Sequence, residues 1–502
     1  MAIHAIDAAI LVFYMLGMVA LGLRIGHRQR DLSAYLLGGR DLPWYAILGS
    51  IVATETSTAT FLSVPGIAFA VSGDMRFLQL TIGFIVGRTV VAIVLVPLYF
   101  RGEMYTAYEV LNHRFGGASK RAASLLFLVT RNLGDGLRLF LAGIALEQVL
   151  GFPLPTCIGL IGVATILYTF FGGMKAVIWS DCIQFVIYMV GGAIALWILV
   201  SQIPGGWSEL VAFGESTKRL QVFDFRWAST DDFSLWTEPY TLWAGIIGGA
   251  VLTLGTHGTD QMFVQRYLAA RSSRDASRAV IASGFVVAFQ FALFLTLGVA
   301  LACFYERVVP RQFENQDEVF ATFIVNQLPI GIVGITLAAV FAAAMSTLSS
   351  SLNSSATAAV ADFLVPWQER RGRSIDADQL LRVSRRFTVA FGVLQIMIGI
   401  GASWVSGSVV SDALAIAGFT AGILLGVFAL GVLTKSAHQR GVLAGMLCGV
   451  LVLTYIKFGT AIAWTWFAVI GSVVTFAIGL LASWGFPLSR SVTPETVEET
   501  TP

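Results

Sequence analysis

A run of hydroxyl and amide side chains inside an apolar stretch is the part of the sequence best suited to binding an ion. Between positions 346 and 355, eight of the ten residues are Ser, Thr or Asn. Four of them share one face of a helix because they are spaced by three or four residues. They are Ser346, Ser349, Ser350 and Asn353. A single serine in a membrane helix can bond to its own backbone, but clustered neutral oxygens suit a hard cation such as Na⁺.

Two apolar stretches are interrupted by polar residues at mid-membrane depth. The first reads Ala-Thr-Glu-Thr-Ser-Thr-Ala-Thr at 53–60, and the second holds glycines, threonines and a histidine at 248–258. Unwound backbone inside a membrane leaves carbonyl and amide groups free to bind ions and substrates. Interrupted helices at matching positions of two halves are typical of transporters built from inverted repeats.

Several charged residues lie within or at the edge of the apolar stretches, where charge is costly unless it is paired or functional. Asp181 could balance Lys175, or it could complete an ion site with the hydroxyl run. Glu55 could bind an amine, or it could take up a proton if burial raises its proton affinity.

Arg131, Asp135 and Arg138 are spaced by four and three residues, so they lie on one helical face. They could form an internal salt-bridged row, or one arginine could bind a substrate carboxylate. With Arg88 and Glu55 included, three cations face two anions at this depth. That surplus favours an anionic or zwitterionic solute.

The composition requires membrane helices to position these residues. The chain of 502 residues is 56% hydrophobic and 12% charged, with a net charge of +2, whereas soluble domains carry about 25% charged residues. This excludes a soluble enzyme, a disordered chain, a coiled coil and a nucleic-acid-binding protein. About thirteen stretches can cross a membrane as helices of ~20 residues, which predicts an all-α polytopic membrane protein.

Basic residues set the expected orientation in a cell inner (plasma) membrane. Arginines follow the first apolar stretch, so the positive-inside rule puts the N-terminus outside and the C-terminus in the cytoplasm. Most Lys and Arg of the loops fall on the predicted inner side, and Arg266 is counted among them. The expected partners are a small-molecule substrate and membrane lipid, and no obligate protein partner is indicated.

The sequence does not favour an enzyme. The five histidines are scattered, and neither a nucleophile–base pair nor a cluster of metal ligands emerges. No organic cofactor is expected. A membrane sensor built on the same helices is the alternative to a transporter.

Three strings carry a resemblance to a known family. They are Gly-Gly-Met-Lys-Ala-Val-Ile-Trp-Ser-Asp at 172–181, Gly-Thr-Asp-Gln-Met-Phe-Val-Gln-Arg-Tyr-Leu-Ala-Ala at 258–270, and the hydroxyl run at 346–353. In this order they resemble the sodium:solute symporter family. Together with Tyr-Glu-Val-Leu-Asn-His-Arg-Phe at 108–115, the hydroxyl run looks closest to the iodide, vitamin and monocarboxylate carriers. The resemblance implies a LeuT-type fold with a 5+5 inverted-repeat core, one extra N-terminal helix and two extra C-terminal helices.

The same resemblance implies the organisation of the chain and its ion sites. The parts are an N-terminal helix with a cytoplasmic loop at 1–40, the first repeat at 41–202, an extracellular loop at 203–239, the second repeat at 240–433, two C-terminal helices at 434–488 and a cytoplasmic tail at 489–502. A first sodium site would consist of the backbone carbonyls of Ala53 and Thr56 with Ala343, Ser346 and Thr347. A second would consist of Asp181, Ser346, Ser349 and Ser350. One or two Na⁺ ions, and no other metal, are therefore expected.

The substrate is expected at the midplane between the two interrupted helices. The candidate side chains are Glu55, Ser57, Thr58, Thr60, Gln79, Arg131, Asp135, Arg138, Thr253, Thr256 and His257. Sugar carriers of the family close this site with an aromatic pair, and Thr256 and His257 stand at those positions, which argues against a sugar. We expect a sodium-coupled symporter that imports a small polar organic solute by alternating access. A carboxylate such as a monocarboxylate or an amino acid is favoured, with a sugar or an inorganic anion as the alternative.

Overall fold

The computed structural model describes residues 4–26, 32–102, 104–228, 230, 233–372, 376–402, 404 and 409–485. Over these residues the protein is built from helices and has no strand, which confirms the all-α prediction. The predicted cytoplasmic tail at 489–502 lies outside the described residues.

Twenty α-helices follow one another along the described chain. The first ten are α1 (Ala5–Gly26), α2 (Leu32–Leu37), α3 (Trp44–Glu55), α4 (Thr58–Phe69), α5 (Leu80–Val90), α6 (Val96–Tyr99), α7 (Glu109–Phe115), α8 (Gly117–Leu150), α9 (Leu154–Gln202) and α10 (Gly206–Ser216). The second ten are α11 (Gly249–Thr259), α12 (Gln261–Leu268), α13 (Ser273–Arg307), α14 (Val319–Gln327), α15 (Ile332–Ala358), α16 (Val365–Glu369), α17 (Ala377–Ala402), α18 (Val409–Leu433), α19 (Gln439–Gly459) and α20 (Phe467–Gly485). Short 3₁₀ segments at Gly38–Arg40, Arg76–Gln79, Gln316–Glu318 and Trp464–Trp466 and π-turns at Val91–Leu95, Ala244–Gly248 and Ala359–Leu364 complete the set.

Among the described residues, nine helical segments are long and apolar enough to cross a membrane, and a bent pair, α3 with α4, brings the number to ten. The expected number of thirteen is therefore not confirmed. Helix α9 shows why the two numbers differ: its 49 residues would extend about 74 Å at 1.5 Å per residue. That length is twice a membrane, and Gly173 bends the helix with a φ of 54°.

The first interruption is a break between α3 and α4, which are bent by 59°. Thr56 and Ser57 have extended backbone angles, with ψ of 94° and 172°. The Thr56 hydroxyl donates to the Val52 carbonyl at 2.8 Å, a local bond that competes with the regular helix. Because the chain leaves the helix here, the carbonyls of Ala53 and Thr54 lose the amides that would otherwise bond to them.

The second interruption lies at Asp260, between α11 and α12, slightly beyond the glycine-rich stretch expected to hold it. Asp260 has extended backbone angles, and its carboxylate accepts a hydrogen bond from the Met262 amide at 2.8 Å. This bond caps the N-terminus of α12. The glycine pair expected to break the helix instead joins a π-turn at Ala244–Gly248 to α11 without a break.

Helix α15 runs through the centre of the bundle. It packs against α9, α1, α8, α17 and α3, and every residue from Thr336 to Ala358 is buried. The hydroxyl run therefore faces protein on all sides. That location explains how so many polar side chains can be tolerated at membrane depth, because neighbouring helices satisfy them.

Candidate functional site

Helix α15 meets the first broken helix through two hydroxyl groups. Ser346 Oγ lies 2.8 Å from the carbonyl oxygen of Ala53, and Thr347 Oγ1 lies 3.1 Å from that of Thr54. Both hydroxyls also reach the Ala343 carbonyl, at 3.1 and 3.4 Å. All five residues are buried. Four of the five residues predicted for the first sodium site are thus in one cluster.

The chemistry of this cluster fits Na⁺. Carbonyl and hydroxyl oxygens are hard neutral ligands, and a hydroxyl can rotate its hydrogen away to present a lone pair to a cation. The fifth predicted residue, Thr56, lies at the break itself, and its hydroxyl bonds to Gln290 at 2.9 Å and to Tyr188 at 3.0 Å. Only its backbone carbonyl is predicted to bind the ion, and that role stays a prediction.

The second predicted sodium set is organised around an ion pair. Asp181 Oδ2 lies 3.1 Å from Nη2 of Arg266, and neither side chain is exposed. Ser50 donates to the same carboxylate oxygen at 2.6 Å. The Arg266 guanidinium also donates to the hydroxyls of Thr54 and Ser350. Asp181 and Ser350 therefore come together around a guanidinium, which already supplies a positive charge.

Ser349 does not join that network, because its hydroxyl donates to the Ser346 carbonyl of its own helix at 3.1 Å. The alternative expectation that Asp181 balances the charge of Lys175 is wrong, because Lys175 forms an ion pair with Asp41 at 2.8 Å.

Arg266 is the main residue of this polar network that the sequence pattern does not predict. It was assigned to an inner loop, whereas it is fully buried within α12. The sequence does contain one indication of this position. Asp is a common N-cap residue, so Asp260 predicts that a helix begins at Gln261 and includes Arg266. On the same helix, Gln265 donates to Asn353 of α15 at 2.7 Å, so α12 is fastened directly to the hydroxyl run.

Glu55 connects the two broken helices. Its carboxylate accepts a hydrogen bond from Arg88 and lies 3.6 Å from Nε2 of His257 on α11. Arg88 is fully buried and also donates to Ser283 at 2.7 Å. His257 in turn lies 3.2 Å from the Tyr267 hydroxyl. The charge of Glu55 is thus balanced by a cation of the protein itself.

The arginine row has a second carboxylate, Asp260, which the spacing along α8 does not reveal. Arg131 Nη2 lies 2.5 Å from Asp260, and Nη1 lies 3.6 Å from Asp135. Arg138 pairs with Asp135 from the other side. With Asp260 included, the three arginines of this region face three carboxylates. The expected surplus of positive charge is therefore wrong, because the helix cap of α12 also serves as a counter-ion.

The other candidate substrate residues are dispersed. Thr256 lines a cavity of about 20 Å³ together with Arg131 and Arg138, and Thr58 lines a separate one of about 40 Å³. Each has room for a few water molecules at most. Ser57 is buried at the break, Thr60 is half-buried and Thr253 is buried. The cavities beside Thr256 and Thr58 are therefore too small for an organic solute.

Gln79 lies apart from this region. Its amide nitrogen donates to the carbonyls of Arg76 and Tyr240, at 3.1 and 3.0 Å, and its oxygen accepts from the Asp224 amide at 3.0 Å. Two of these three hydrogen bonds therefore join the segment just before α5 to the 203–239 loop and the segment that follows it.

The geometry of a broken helix held against a hydroxyl-rich helix agrees with the comparisons to known proteins. The model of the "Sodium:solute symporter family" matches residues 35–449. The chain belongs to the sodium:solute symporter family. Members of this family are sodium-coupled transporters and not enzymes, as expected, and their coupling ion is Na⁺.

Individual relatives cover most of the chain. The sodium/sialic acid symporter SiaT of Proteus mirabilis (strain HI4320) is 28% identical over 95% of this chain and 95% of its own length. The human sodium/iodide cotransporter is 26% identical over 91% of this chain and 70% of its own length. Human sodium-coupled monocarboxylate transporter 1 is 28% identical over 91% of this chain and 72% of its own length. These identities are too similar to assign the chain to one branch.

Solved structures agree on the fold. A substrate-bound, outward-open Na⁺-coupled sialic acid symporter superposes with a TM-score of 0.86 at 27% identity, covering 96% of this chain and 98% of that chain. The nucleobase-cation-symport-1 family transporter Mhp1, in a closed conformation, gives a TM-score of 0.56 at 14% identity over 91% of this chain and 96% of its own. The second likeness concerns the fold alone. Together they confirm the expected LeuT-type architecture.

Proposed function

We propose that this protein imports a small polar solute across the plasma membrane by coupling its movement to Na⁺. The observation that carries the proposal is the contact between the Ser346 hydroxyl and the Ala53 carbonyl at the break between α3 and α4. A Na⁺ ion at this cluster would replace hydroxyl–carbonyl hydrogen bonds with ion contacts and hold the broken helix against α15. Solute binding beside the ordered break would then favour rocking of the core helices, as in alternating access.

We propose that the coupling ion binds at the first predicted site. At the second, Arg266 already neutralises Asp181, so a second Na⁺ would have to displace the guanidinium or share the carboxylate with it. One Na⁺ per solute is the simplest stoichiometry, and its entry is worth about 2.3 kcal/mol per 100 mV of membrane potential.

The solute is proposed to be a carboxylate that binds next to Arg138. This side chain is 19% exposed and is held by Asp135 alone among the described carboxylates, whereas Arg131 is held by two. Three relatives are named for sialic acid, iodide and monocarboxylates, all of which are anions at neutral pH. Since the region has no net charge, a carboxylate would bind by drawing Arg138 away from Asp135.

The organisation into two repeats, 41–202 and 240–433, is part of the proposal. Its support is that the two breaks, at Thr56–Ser57 and at Asp260, each fall in the first long helix of a repeat. The flanking helices at 1–40 and 434–488 then lie outside the repeats. The N-terminus is proposed to face outward and the C-terminus the cytoplasm.

A thermal-shift screen tests the function. The purified protein is heated in NaCl or KCl with a sialic acid, lactate, proline, glucose or iodide. We expect a carboxylate to raise Tm in NaCl only, because a ligand at 100 times its Kd stabilises the folded state by about 2.7 kcal/mol. Equal stabilisation in KCl would contradict sodium coupling, and stabilisation by glucose alone would contradict the carboxylate class.

A further inference from the structure

A groove lies on the helix bundle outside the site described above, between α8, the end of α15 and α17. It has a volume of about 620 Å³. Its walls are apolar and mostly aromatic or leucine side chains. We call it the phenyl groove, and its defining residues are Leu125, Leu128, Phe363, Trp367, Phe387 and Phe391. Phe387 and Phe391 stack with their ring centroids 6.1 Å apart, so α17 presents a continuous apolar wall.

The end of α15 shapes this groove. After Ala358 the helix changes to a π-turn at Ala359–Leu364, and Pro366 lies in the first turn of the short helix α16. A π-turn widens a helix and changes the direction of its side chains, and such turns are frequent at functional positions. Phe363 and Trp367 are four residues apart, and both line the groove.

Two arginines stand where the phenyl groove meets a polar cavity. Arg121 and Arg370 line both the groove and this neighbouring cavity, which has a volume of about 530 Å³. Within the described part of the chain, no carboxylate lies within ion-pair distance of either guanidinium. The nearby Lys120, by contrast, is paired with the buried Asp362 at 3.0 Å. Neither arginine therefore forms an ion pair among the described residues, although Glu109, Asp362 and Glu369 line the same polar cavity.

The surroundings indicate the depth of these arginines in the membrane. Trp367 is 46% exposed, and the Arg371 guanidinium lies over its ring at 4.0 Å from the centroid. Tryptophan and arginine side chains concentrate at the level of lipid headgroups. Leu125, one turn beyond Arg121 on α8, is 54% exposed and marks the side that faces the hydrocarbon.

We propose that the phenyl groove binds an acyl chain of an anionic phospholipid whose phosphate lies between Arg121 and Arg370. The apolar walls match a hydrocarbon chain, and two arginines that form no ion pair among the described residues match a phosphate, with which guanidinium groups bond well. The acidic segment 489–502 is a poorer occupant, because it contains two valines and no aromatic or leucine residue to fill the groove. The proposal does not depend on the identity of the transported solute.

Native mass spectrometry of the full-length protein in detergent tests the proposal. The wild-type protein and the variant R121Q/R370Q are mixed with dioleoyl phosphatidylglycerol, dioleoyl phosphatidylcholine or dioleoyl phosphatidylethanolamine. We expect the wild-type protein to retain phosphatidylglycerol preferentially. The double variant should lose on the order of 5-fold in affinity for each arginine, since one basic residue near a charged headgroup contributes about that much.

The matched control is R274Q/R278Q, which removes two exposed arginines of α13 that do not line the groove. It should retain phosphatidylglycerol as the wild-type protein does, and equal Tm values should show that all variants are folded. Equal retention of the three lipids, or an unchanged affinity in R121Q/R370Q, would overturn the proposal. Full competition by glycerol 3-phosphate at equal concentration would also overturn it, because the headgroup alone would then suffice.

Discussion

The Ser346 hydroxyl lies 2.8 Å from the Ala53 carbonyl, although 293 positions separate the two residues in the chain. The carbonyl is free for this contact because the helix ends two residues later, at Glu55. Neither residue is charged. A cation at this point would therefore be held by dipoles alone, and each oxygen should matter to its affinity.

Ser346→Ala should raise the Na⁺ concentration needed for half-maximal activation by about tenfold, the equivalent of roughly 1.4 kcal/mol for one lost oxygen contact. Thr347→Ala should act in the same direction. The measurement is Na⁺-dependent thermal stabilisation or solute uptake. Ser354→Ala is the matched control, because that hydroxyl bonds to the Ser351 carbonyl within its own helix. A wild-type sodium response in Ser346→Ala would remove the first site.

Arg266→Gln should lower the stability of the protein by about 3–5 kcal/mol, because it leaves the buried Asp181 without its cation. Adding Asp181→Asn to Arg266→Gln should recover part of the loss, since the uncompensated charge is then gone. Unfolding midpoints in detergent measure both effects.

The exposed pair of Lys175 and Asp41 is the control for this prediction. Its side chains are 36% and 59% exposed, and such surface pairs contribute about 0–1 kcal/mol. If Arg266→Gln were no more destabilising than Lys175→Gln, the buried ion pair would contribute no more to the stability of the fold than an exposed pair does.

The sequence was sufficient to predict the helical membrane fold, because that depends on apolar length. The ligand set of the first sodium site came from the family resemblance. The structure brings Ala53, Ala343 and Ser346 together, and ion binding there stays a prediction. Arg266 could not be placed in the same way. An arginine near a predicted membrane edge is normally assigned to a loop. Its pairing with Asp181 depends on the tertiary fold, which the local sequence does not reveal.

The charge of the substrate region was misjudged for a related reason. Arg131 has a same-helix partner, Asp135, that spacing reveals, but its nearer partner is Asp260 on another helix. Helix caps are assigned from local sequence, whereas a counter-ion from a distant element is a tertiary property. The number of thirteen spans stays unconfirmed, in part because α9 is one continuous but bent helix of 49 residues, which is long enough to cross a membrane twice.

Glu55→Gln should reduce transport and lower stability by about 3 kcal/mol, because the fully buried Arg88 would lose its carboxylate. The double variant Glu55→Gln/Arg88→Gln should be more stable than Glu55→Gln alone. Unfolding midpoints and the solute concentration at half-maximal uptake are measured together. A changed solute preference in Glu55→Gln without any rescue by Arg88→Gln would indicate that Glu55 contacts the solute.

Asp260→Asn should favour anionic solutes by several-fold over neutral analogues, because Arg131 would lose its nearer counter-ion while the helix cap is kept. Competition of lactate and lactamide for binding measures the ratio. Asp224→Asn is the control, since it neutralises a carboxylate paired with Arg226 at 2.6 Å, outside the substrate region. An unchanged ratio in Asp260→Asn would show that the charge balance around Arg131 does not select the solute.

The most direct test of the account is uptake into proteoliposomes of the solute that the thermal-shift screen selects. Wild-type, Ser346→Ala and Ser354→Ala proteins are reconstituted at equal density, and the external Na⁺ is replaced by choline in a parallel series. We expect uptake by the wild-type protein and by Ser354→Ala to fall to background in choline, and Ser346→Ala to require more Na⁺ for the same rate. Uptake that proceeds equally in choline would contradict sodium-coupled transport by this protein.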